Sequence, residues 1–424
     1  MIDTSQFCGK KVAFHTLGCK LNFAETSVIG QMLFAEGFVR AKAGEQADIC
    51  IINTCSVTNV ADKKCRQAIH RLMERHPNAY IVVTGCYAQL KPDEVAQITG
   101  VDLVLGSNEK MALTDFLTHL DRNRRKQIHV GRTAKINAFQ PACSADDRTR
   151  HFLKIQDGCN YYCSYCTIPL ARGRSRNASI EQTLAVAQES IDRGAKEIVL
   201  TGVNIGAFET PKGETFLDLI KALDNLSGEV RFRISSIEPN LLRDEIIDFV
   251  KVSNHFAPHF HIPLQSGSNT ILRLMRRRYT RELFAEKVKT VKRLMPDAFI
   301  GVDVMVGMRG ETPDCFEETY AFLQELDITQ MHVFTYSERN NTQALEIGYI
   351  VPQQERKRRS EALHRLSQEK TERFMDTQRG NSGIALWESG RRGEKMFGFT
   401  ENYIRVEAPC DLSLINTFQS VVIT

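Results

Sequence analysis

The sequence predicts an α/β protein in three successive parts: an N-terminal open parallel α/β sheet, a central partial (β/α)6 barrel, and a small C-terminal β-barrel. Three observations carry this expectation. Strand-like and helical runs alternate through roughly the first 130 residues. The alternation resumes at His151 for six β/α units, with no Gly-rich phosphate fingerprint at a strand–helix turn. Past Gly380 only short β runs remain, punctuated by Gly and Pro. At 424 residues and 42% hydrophobic content, the chain is long and apolar enough for two or three cores.

In the first part, residues 12–16, 48–52, 80–84 and 103–105 read as buried strands. Helical periodicity covers 23–36, 60–75, a stretch after Pro92, and 111–120. Cys19 follows the first strand, Cys55 the second and Cys86 the third, so all three lie at the carboxyl edge, where open α/β sheets bind ligands. Gly18 and Gly85 let the backbone turn tightly before two of them. Free cysteine packs well in cores, but a shared strand-end position favours a three-thiol cluster site. A structural zinc site would want a fourth protein ligand. Cys8, Cys50, Cys65, Cys143, Cys315 and Cys410 lack such context and read as packing or surface thiols.

Residues 137–150 carry no periodicity and read as a linker. The barrel strands are expected at 152–156, 197–201, 232–236, 259–264, 300–306 and 331–336, with helices at 179–193, 216–226, 241–250, 281–294 and 313–326. The first of these strands leads into Cys159-Asn-Tyr-Tyr-Cys163-Ser-Tyr165-Cys166. Three thiolates at this CxxxCxxC spacing can hold three irons of a [4Fe–4S] cluster and leave the fourth open to a substrate or cofactor. The other strand ends are polar: Thr201-Gly-Val-Asn204, Ser235-Ser236-Ile-Glu238, His261 to Gln265-Ser-Gly-Ser268, Asp303 with Gly307, and Tyr336 to Arg339. Their convergence on one rim is expected of a cofactor and substrate pocket.

Residues 354–379 form a charged helix, followed by β runs at 383–388, 402–406 and 419–424. The net charge of +4 is too small to argue for nucleic-acid binding. Basic clusters at 122–126, 273–281 and 356–359 read first as solvated helix faces. Residues 1–10 lack a basic-then-apolar leader, and no run of about 18 apolar residues predicts a membrane span. A cytoplasmic protein with no membrane partner is expected, its twelve cysteines reduced rather than disulfide-linked.

The loop Gln156-Asp-Gly-Cys159 to Cys166-Thr-Ile-Pro, with Ala171-Arg-Gly-Arg-Ser175, resembles that of radical S-adenosylmethionine (SAM) enzymes. Together with Cys19, Cys55 and Cys86, with Ser235-Ser-Ile-Glu-Pro239, with His261-Ile-Pro-Leu-Gln-Ser-Gly-Ser268 and with Leu274-Met-Arg-Arg-Arg-Tyr279, it resembles the methylthiotransferases over nearly the whole chain. Thr16-Leu-Gly-Cys-Lys20-Leu-Asn22 is similar to the branch that acts on N6-threonylcarbamoyladenosine in tRNA. Gly307-Met-Arg-Gly-Glu311 and Tyr336-Ser-Glu-Arg-Asn-Asn-Thr342 depart from the usual Gly-Phe-Pro-Gly-Glu and Ser-Pro-Arg-Pro-Gly-Thr.

The resemblance implies two [4Fe–4S] clusters. Cys159, Cys163 and Cys166 would hold the catalytic one, whose open iron chelates SAM, and Cys19, Cys55 and Cys86 an auxiliary one that carries sulfur. Tyr165, Thr201, Asn204, Ser236, Glu238, His261 and Gln265 are the candidate SAM contacts. The implied reaction is 2-methylthiolation at position 37, in the tRNA anticodon loop, with a flavodoxin or ferredoxin as electron donor. The parts become a methylthiotransferase domain (1–135), a linker (136–150), a radical SAM domain (151–373) and an RNA-binding TRAM-like β-barrel (374–424). In the last, Arg391, Arg392, Lys395, Phe397, Phe399 and Tyr403 either contact RNA or fill the barrel's own core. Three alternatives stand beside this reading: isopentenyladenosine-37 as substrate, a ribosomal-protein aspartate as substrate, and a two-cluster electron carrier or redox sensor that binds RNA.

Overall fold

The computed structural model describes residues 7–117, 126–136, 138–144 and 149–424, the side chains of Arg391 and Arg392 excepted. The N-terminal sheet contains β1 (Lys11–Thr16), β2 (Val39–Arg40), β3 (Ile49–Thr54), β4 (Tyr80–Gly85), β5 (Leu103–Leu105) and β6 (Gln127–His129). Their order is β2-β1-β3-β4-β5-β6, and every pairing is parallel. Alternate residues of β3 serve two cores. Ile49 and Ile51 pack with Ile29 and Leu33 of the helix Lys20–Ala35, whereas Cys50 and Ile52 pack with Cys65, Ile69 and Leu72 of the helix Asn59–Arg75. Helices on both faces explain why β3 and β4 are buried throughout and read as continuous apolar runs. The helix expected over 111–120 is a 3-10 turn (Glu109–Ala112) followed by Leu113–Phe116; residues 118–120 lie outside the described residues, as do 122–125 of the first basic cluster.

The central part contains β7 (Ala142–Cys143), β8 (Arg150–Lys154), β9 (Glu197–Thr201), β10 (Arg231–Ile234), β11 (His259–Gln265), β12 (Phe299–Val306) and β13 (Gln330–Thr335). The sheets β10-β9-β8-β7 and β11-β12-β13 meet at a parallel bridge between Ser236 and His261, giving the partial barrel. The stretch read as a linker supplies β7, an antiparallel edge on β8. Outward residues such as Leu153, Ile198, Leu200, Phe232, Ile234, Ile262 and Val302 form the main core beneath the helices. The alternate residues are polar and meet inside the barrel: Glu197 with Arg231 and Arg233, and His261 with Asp303.

The helix Gln353–Gln378 runs unbroken along β13 and leads to an antiparallel sheet of order β16-β15-β14-β17. These strands are β14 (Ser382–Arg392), β15 (Lys395–Phe399), β16 (Arg405–Pro409) and β17 (Phe418–Val422). The sheet closes the amino end of the barrel. Arg231 donates to the carbonyls of Ile384 and Phe399, Arg233 donates to that of Glu401, and Arg150 donates to the Tyr403 hydroxyl at 2.8 Å. Tyr403 also stacks on Phe399 at 5.0 Å and meets Phe299 edge-on at 5.4 Å and His259 at a tilt at 5.0 Å, and Arg150 lies 4.7 Å over Phe399. Phe399 and Tyr403, both half-buried, pack on the barrel floor through cation–π and ring contacts, and Tyr403 also packs beside Ile404 and Ile423 of the sheet itself. The basic clusters are solvated in part, with Arg273, Arg276, Arg278, Lys357 and Arg358 exposed as expected. Arg277, Arg356 and Arg359 are buried, and Arg359 pairs with Glu311 at 2.7 Å.

Candidate active site

The CxxxCxxC loop leaves β8 through Gln156, Asp157 and Gly158. Gly158 has φ +69°, and a Cβ there would stand 2.0 Å from the Arg174 carbonyl oxygen, so glycine alone fits. The buried Gln156 side chain donates to the carbonyls of Asp157 and Gly158, and its Oε1 accepts from the amides of Val203 (2.9 Å) and Asn204 (2.8 Å). It clamps the cysteine loop to the turn after β9. Burial pushes the Cys166 thiol up to about 12, reinforced by Cys163; Cys159 and Cys163 are also raised by burial. Arg277 Nη1 donates to Cys163 Sγ at 3.2 Å and ion-pairs with Glu238, whose carboxyl is nevertheless raised by burial.

Cys19 precedes the helix Lys20–Ala35, Cys55 follows β3, and Cys86 opens the short helix after β4. Gly18 (φ +99°) and Gly85 (φ +95°) allow the close approach. A Cβ on Gly18 would lie 2.5 Å from Cys55 Cβ, and one on Gly85 would lie 2.4 Å from the Thr54 carbonyl oxygen. Burial raises the Cys55 thiol to about 12, with Cys86 adding to the shift, and Cys86 is raised by burial against the pull of Arg172. Asn22 staples two of the loops by donating to the carbonyls of Leu17 (2.8 Å) and Thr54 (3.1 Å).

Arg172 joins the two triads. It ends the short helix after the CxxxCxxC loop, is 1% exposed, and donates to Asn22 Oδ1 (2.5 Å), Asp157 Oδ1 (3.0 Å) and Glu25 (3.0 and 3.2 Å). Glu25 further binds Lys110 (2.5 Å) and Lys154 (3.0 Å), a wholly buried network between the N-terminal sheet and the barrel. Among the described residues no three of His, Cys, Asp or Glu converge on one ion position, which a mononuclear zinc site needs. Thiols on a cluster each take a different iron. Cys55, Cys86, Cys159, Cys163 and Cys166, kept neutral by burial, need cationic iron beside them to become thiolates, and one buried guanidinium attends each triad; this donor chemistry fits iron–sulfur clusters.

Along the barrel rim, Thr201 and Asn204 are buried, Gln265 has φ +69°, and His261 Nε2 lies 2.8 Å from Asp303 Oδ1. The side-chain oxygens of Asn204 and Asn240 are buried without a hydrogen-bond partner, and Asn240 donates to Tyr161 at 2.7 Å. Such acceptors suit a ligand rich in N–H and O–H donors, as the amino acid and ribose of SAM are. Tyr165, half-buried, packs against the cluster of Met275, Met308 and Tyr336, with Arg277 at 3.4 Å from its hydroxyl. Lys20 keeps solvent-exposed surface yet sits among protein charges; burial and then Arg150 and Arg233 lower its ammonium to about 8.

Two family models match the chain. One, described as Uncharacterized protein family UPF0004, covers residues 11–106, and the Radical SAM superfamily covers residues 153–323. The chain is 40% identical over 405 residues to the threonylcarbamoyladenosine tRNA methylthiotransferase MtaB of Bacillus subtilis (strain 168), covering 93% of this chain and 89% of that protein. A relative of the same name from Aquifex aeolicus (strain VF5) is 36% identical over 400 residues, with 94% and 96% covered. The chain belongs to the radical SAM methylthiotransferase family. In fold it is similar to TsrM from Kitasatospora setae, a radical S-adenosylmethionine methyltransferase, with TM-score 0.57 at 13% identity over 77% of this chain and 72% of that one.

In this methylthiotransferase the first match spans the sheet edge with Cys19, Cys55 and Cys86, and the second spans the loop with Cys159, Cys163 and Cys166. Gln156, Arg172 and Arg277 lie inside motifs that sequence reasoning singled out, yet their partners emerge only in three dimensions. Asn240 gave no signal beyond being a polar residue after a strand, and Arg339 none beyond keeping the arginine of a loop that otherwise departs from the family pattern. The two departures from the family pattern answer one another: Arg309 pairs with Glu338 at 2.8 Å, and Met308 packs on Tyr336. Asn341, where the family has Gly, takes φ +63°, a conformation asparagine tolerates better than most residues.

Proposed function

We propose that this methylthiotransferase converts N6-threonylcarbamoyladenosine at position 37 of tRNA to its 2-methylthio derivative in the cytoplasm. The observation that carries the reading is the pair of cysteine triads on separate parts of the chain, coupled through one buried side chain, Arg172. The near full-length similarity to relatives named for that substrate supports it. Cys159, Cys163 and Cys166 hold the catalytic [4Fe–4S] cluster, and Cys19, Cys55 and Cys86 hold the auxiliary one. When bound, the clusters and SAM supply the electron, the sulfur and the methyl group that side chains cannot.

The chain itself binds, orients and excludes water. Thr201, Asn204, Ser236, Glu238, His261 and Gln265 line the rim for SAM, with the unpartnered Asn204 and Asn240 oxygens as acceptors. Tyr165 of the cysteine loop, packed beside Met275 and Met308, takes the adenine of SAM. The Lys20 ammonium, between the charges of Arg150 and Arg233 and those of Glu197 and Asp303 but in no ion pair within the chain's described residues, suits the threonyl carboxylate that isopentenyladenosine lacks. A small iron–sulfur or flavin protein serves as electron donor. Mass spectrometry of tRNA nucleosides from cells with and without the gene tests the reading, since the methylthiolated threonylcarbamoyl nucleoside should vanish. Loss of an isopentenyl product instead would refute it. Reconstituted protein should hold about eight irons, two four-iron clusters' worth.

A further inference from the structure

One loop touches both cysteine triads. Residues 337–344 follow β13 and pack at one end on the segment just after Cys55. Arg339 Nη2 donates to the Ser56 carbonyl (2.9 Å) and hydroxyl (2.6 Å), and its Nη1 donates to Asn59 Oδ1 (2.7 Å) and Asp62 Oδ2 (3.0 Å). The Asn59 amide donates to Ser337 Oγ, and its side chain donates to the Glu338 carbonyl. At the other end the Ala344 amide donates at 2.8 Å to the carbonyl of Ser164, between Cys163 and Cys166. Between the two ends, Thr342 Oγ1 donates to the Arg339 carbonyl (2.6 Å), and Arg309 spans from Glu338 to the Leu345 carbonyl.

The grip is on Ser56, directly after Cys55, and on the first turn of the helix Asn59–Arg75 that follows it. Ser56 and Asp62 are at most 2% exposed, and Arg339 is 5% exposed. A planar guanidinium with four bonds into a dry pocket fixes direction as well as distance, which a sliding apolar contact does not. Arg172 joins the triads by a different path, through Asn22 and Asp157, so the two cysteine loops are held at two separated points.

We propose that residues 337–344 are the spacer that sets the distance and orientation between the two triads, with Arg339 as the positioning residue. The proposal rests on the two-cluster reading above. If one substrate carbon must be reached from both clusters, a shift of about 1 Å should cost product formation up to about 10²-fold. SAM cleavage at the CxxxCxxC loop needs no such alignment and continues.

The test compares reconstituted full-length wild type, Arg339→Gln, and Asn59→Ala, an exposed position that loses two of the contacts without burying a defect. Iron per chain, magnetic coupling between the reduced clusters by pulsed EPR, and both products are measured with substrate tRNA, SAM and dithionite. The expected result in Arg339→Gln is unchanged iron, an altered inter-cluster coupling, and methylthio product down about 10- to 100-fold with 5′-deoxyadenosine changed less than about twofold. Asn59→Ala should show the same uncoupling in milder form. Equal loss of both products, or unaltered coupling in both variants, would overturn the proposal. If Arg339→Gln loses iron or fails to fold, Asn59→Ala decides: uncoupling supports the spacer, and wild-type behaviour overturns it. A wild-type chain that holds only about four irons would refute the two-cluster reading itself, and the spacer with it.

Discussion

Replacing Glu197 by glutamine should release the C-terminal sheet from the barrel floor. Glu197 is fully buried at the start of β9 and accepts from Arg231 Nε (2.6 Å) and from Arg233 Nε (3.1 Å) and Nη2 (3.0 Å). Burial works to raise its carboxyl pKa, but Arg233 and Arg231 outweigh it and hold the group at about 2, against an ordinary 4.5. At about 1.4 kcal/mol per pKa unit, that difference corresponds to about 3 kcal/mol of stability at neutral pH. Glutamine keeps the shape but strands two buried guanidiniums, a loss of about 3–5 kcal/mol by the general cost of breaking a buried ion pair. Both routes agree on about 3 kcal/mol. The chain's one tryptophan, Trp387, is buried in β14 of the sheet that Arg231 and Arg233 grip, so its fluorescence reports detachment during denaturant unfolding. Because the folded pKa is depressed, the contribution is present above about pH 4.5 and fades as pH falls toward 2. A wild-type-to-variant gap below about 1 kcal/mol at pH 7, or one that persists unchanged on acidification, would refute the reasoning.

Gly85→Ala should place a Cβ 2.4 Å from the Thr54 carbonyl oxygen and 2.5 Å from Asn53 Oδ1 at a left-handed backbone position. Iron content should then fall from about eight to about four per chain in a colorimetric assay; retention of all the iron would contradict the close-approach argument. Arg277→Met removes the donor to Cys163 Sγ and the charge opposite Glu238, so the potential of the catalytic cluster should drop in an EPR redox titration. A potential unchanged or higher would count against Arg277 as a partner of that cluster. Lys20→Gln should raise KM for threonylcarbamoyl-bearing tRNA while leaving iron content intact, measured by nucleoside mass spectrometry; an unchanged KM would remove Lys20 from substrate recognition.

The fold was legible wherever a strand is buried on both faces. β3, β4 and β9 are apolar runs with sharp ends, and the sequence places them within two residues of their observed bounds. β2, β6 and β7 were missed because two- or three-residue edge strands are too short to show a period. The six site cysteines were legible from spacing and strand-end position alone. The arginines were not. Arg172 meets Asn22 from 150 residues away, Arg277 meets Cys163 from 114, and Arg339 meets Asp62 from 277. Each sits in a stretch whose motif is visible in one dimension, but a buried ion pair between distant segments leaves no local sign of its partner. The barrel-floor contacts of Phe399 and Tyr403 were hidden for the same reason, since only the docked sheet brings them there.

Those arginines share a position in the architecture. Arg172 lies between the N-terminal sheet and the barrel, Arg339 lies between the β13 loop and the Cys55 loop, and Arg231 and Arg233 lie between the barrel and the C-terminal sheet. An apolar interface of equal area would bind as well but would tolerate slippage, because dispersion and hydrophobic burial are nondirectional. A buried guanidinium adds little net stability, yet each of its hydrogen bonds fails if the partner segment shifts by an ångström or so. Three interfaces of this kind argue for a domain arrangement set before substrate arrives rather than one closed by it. For a reaction that must bring two clusters to one carbon, alignment settled at folding leaves no reorganisation to be made during turnover.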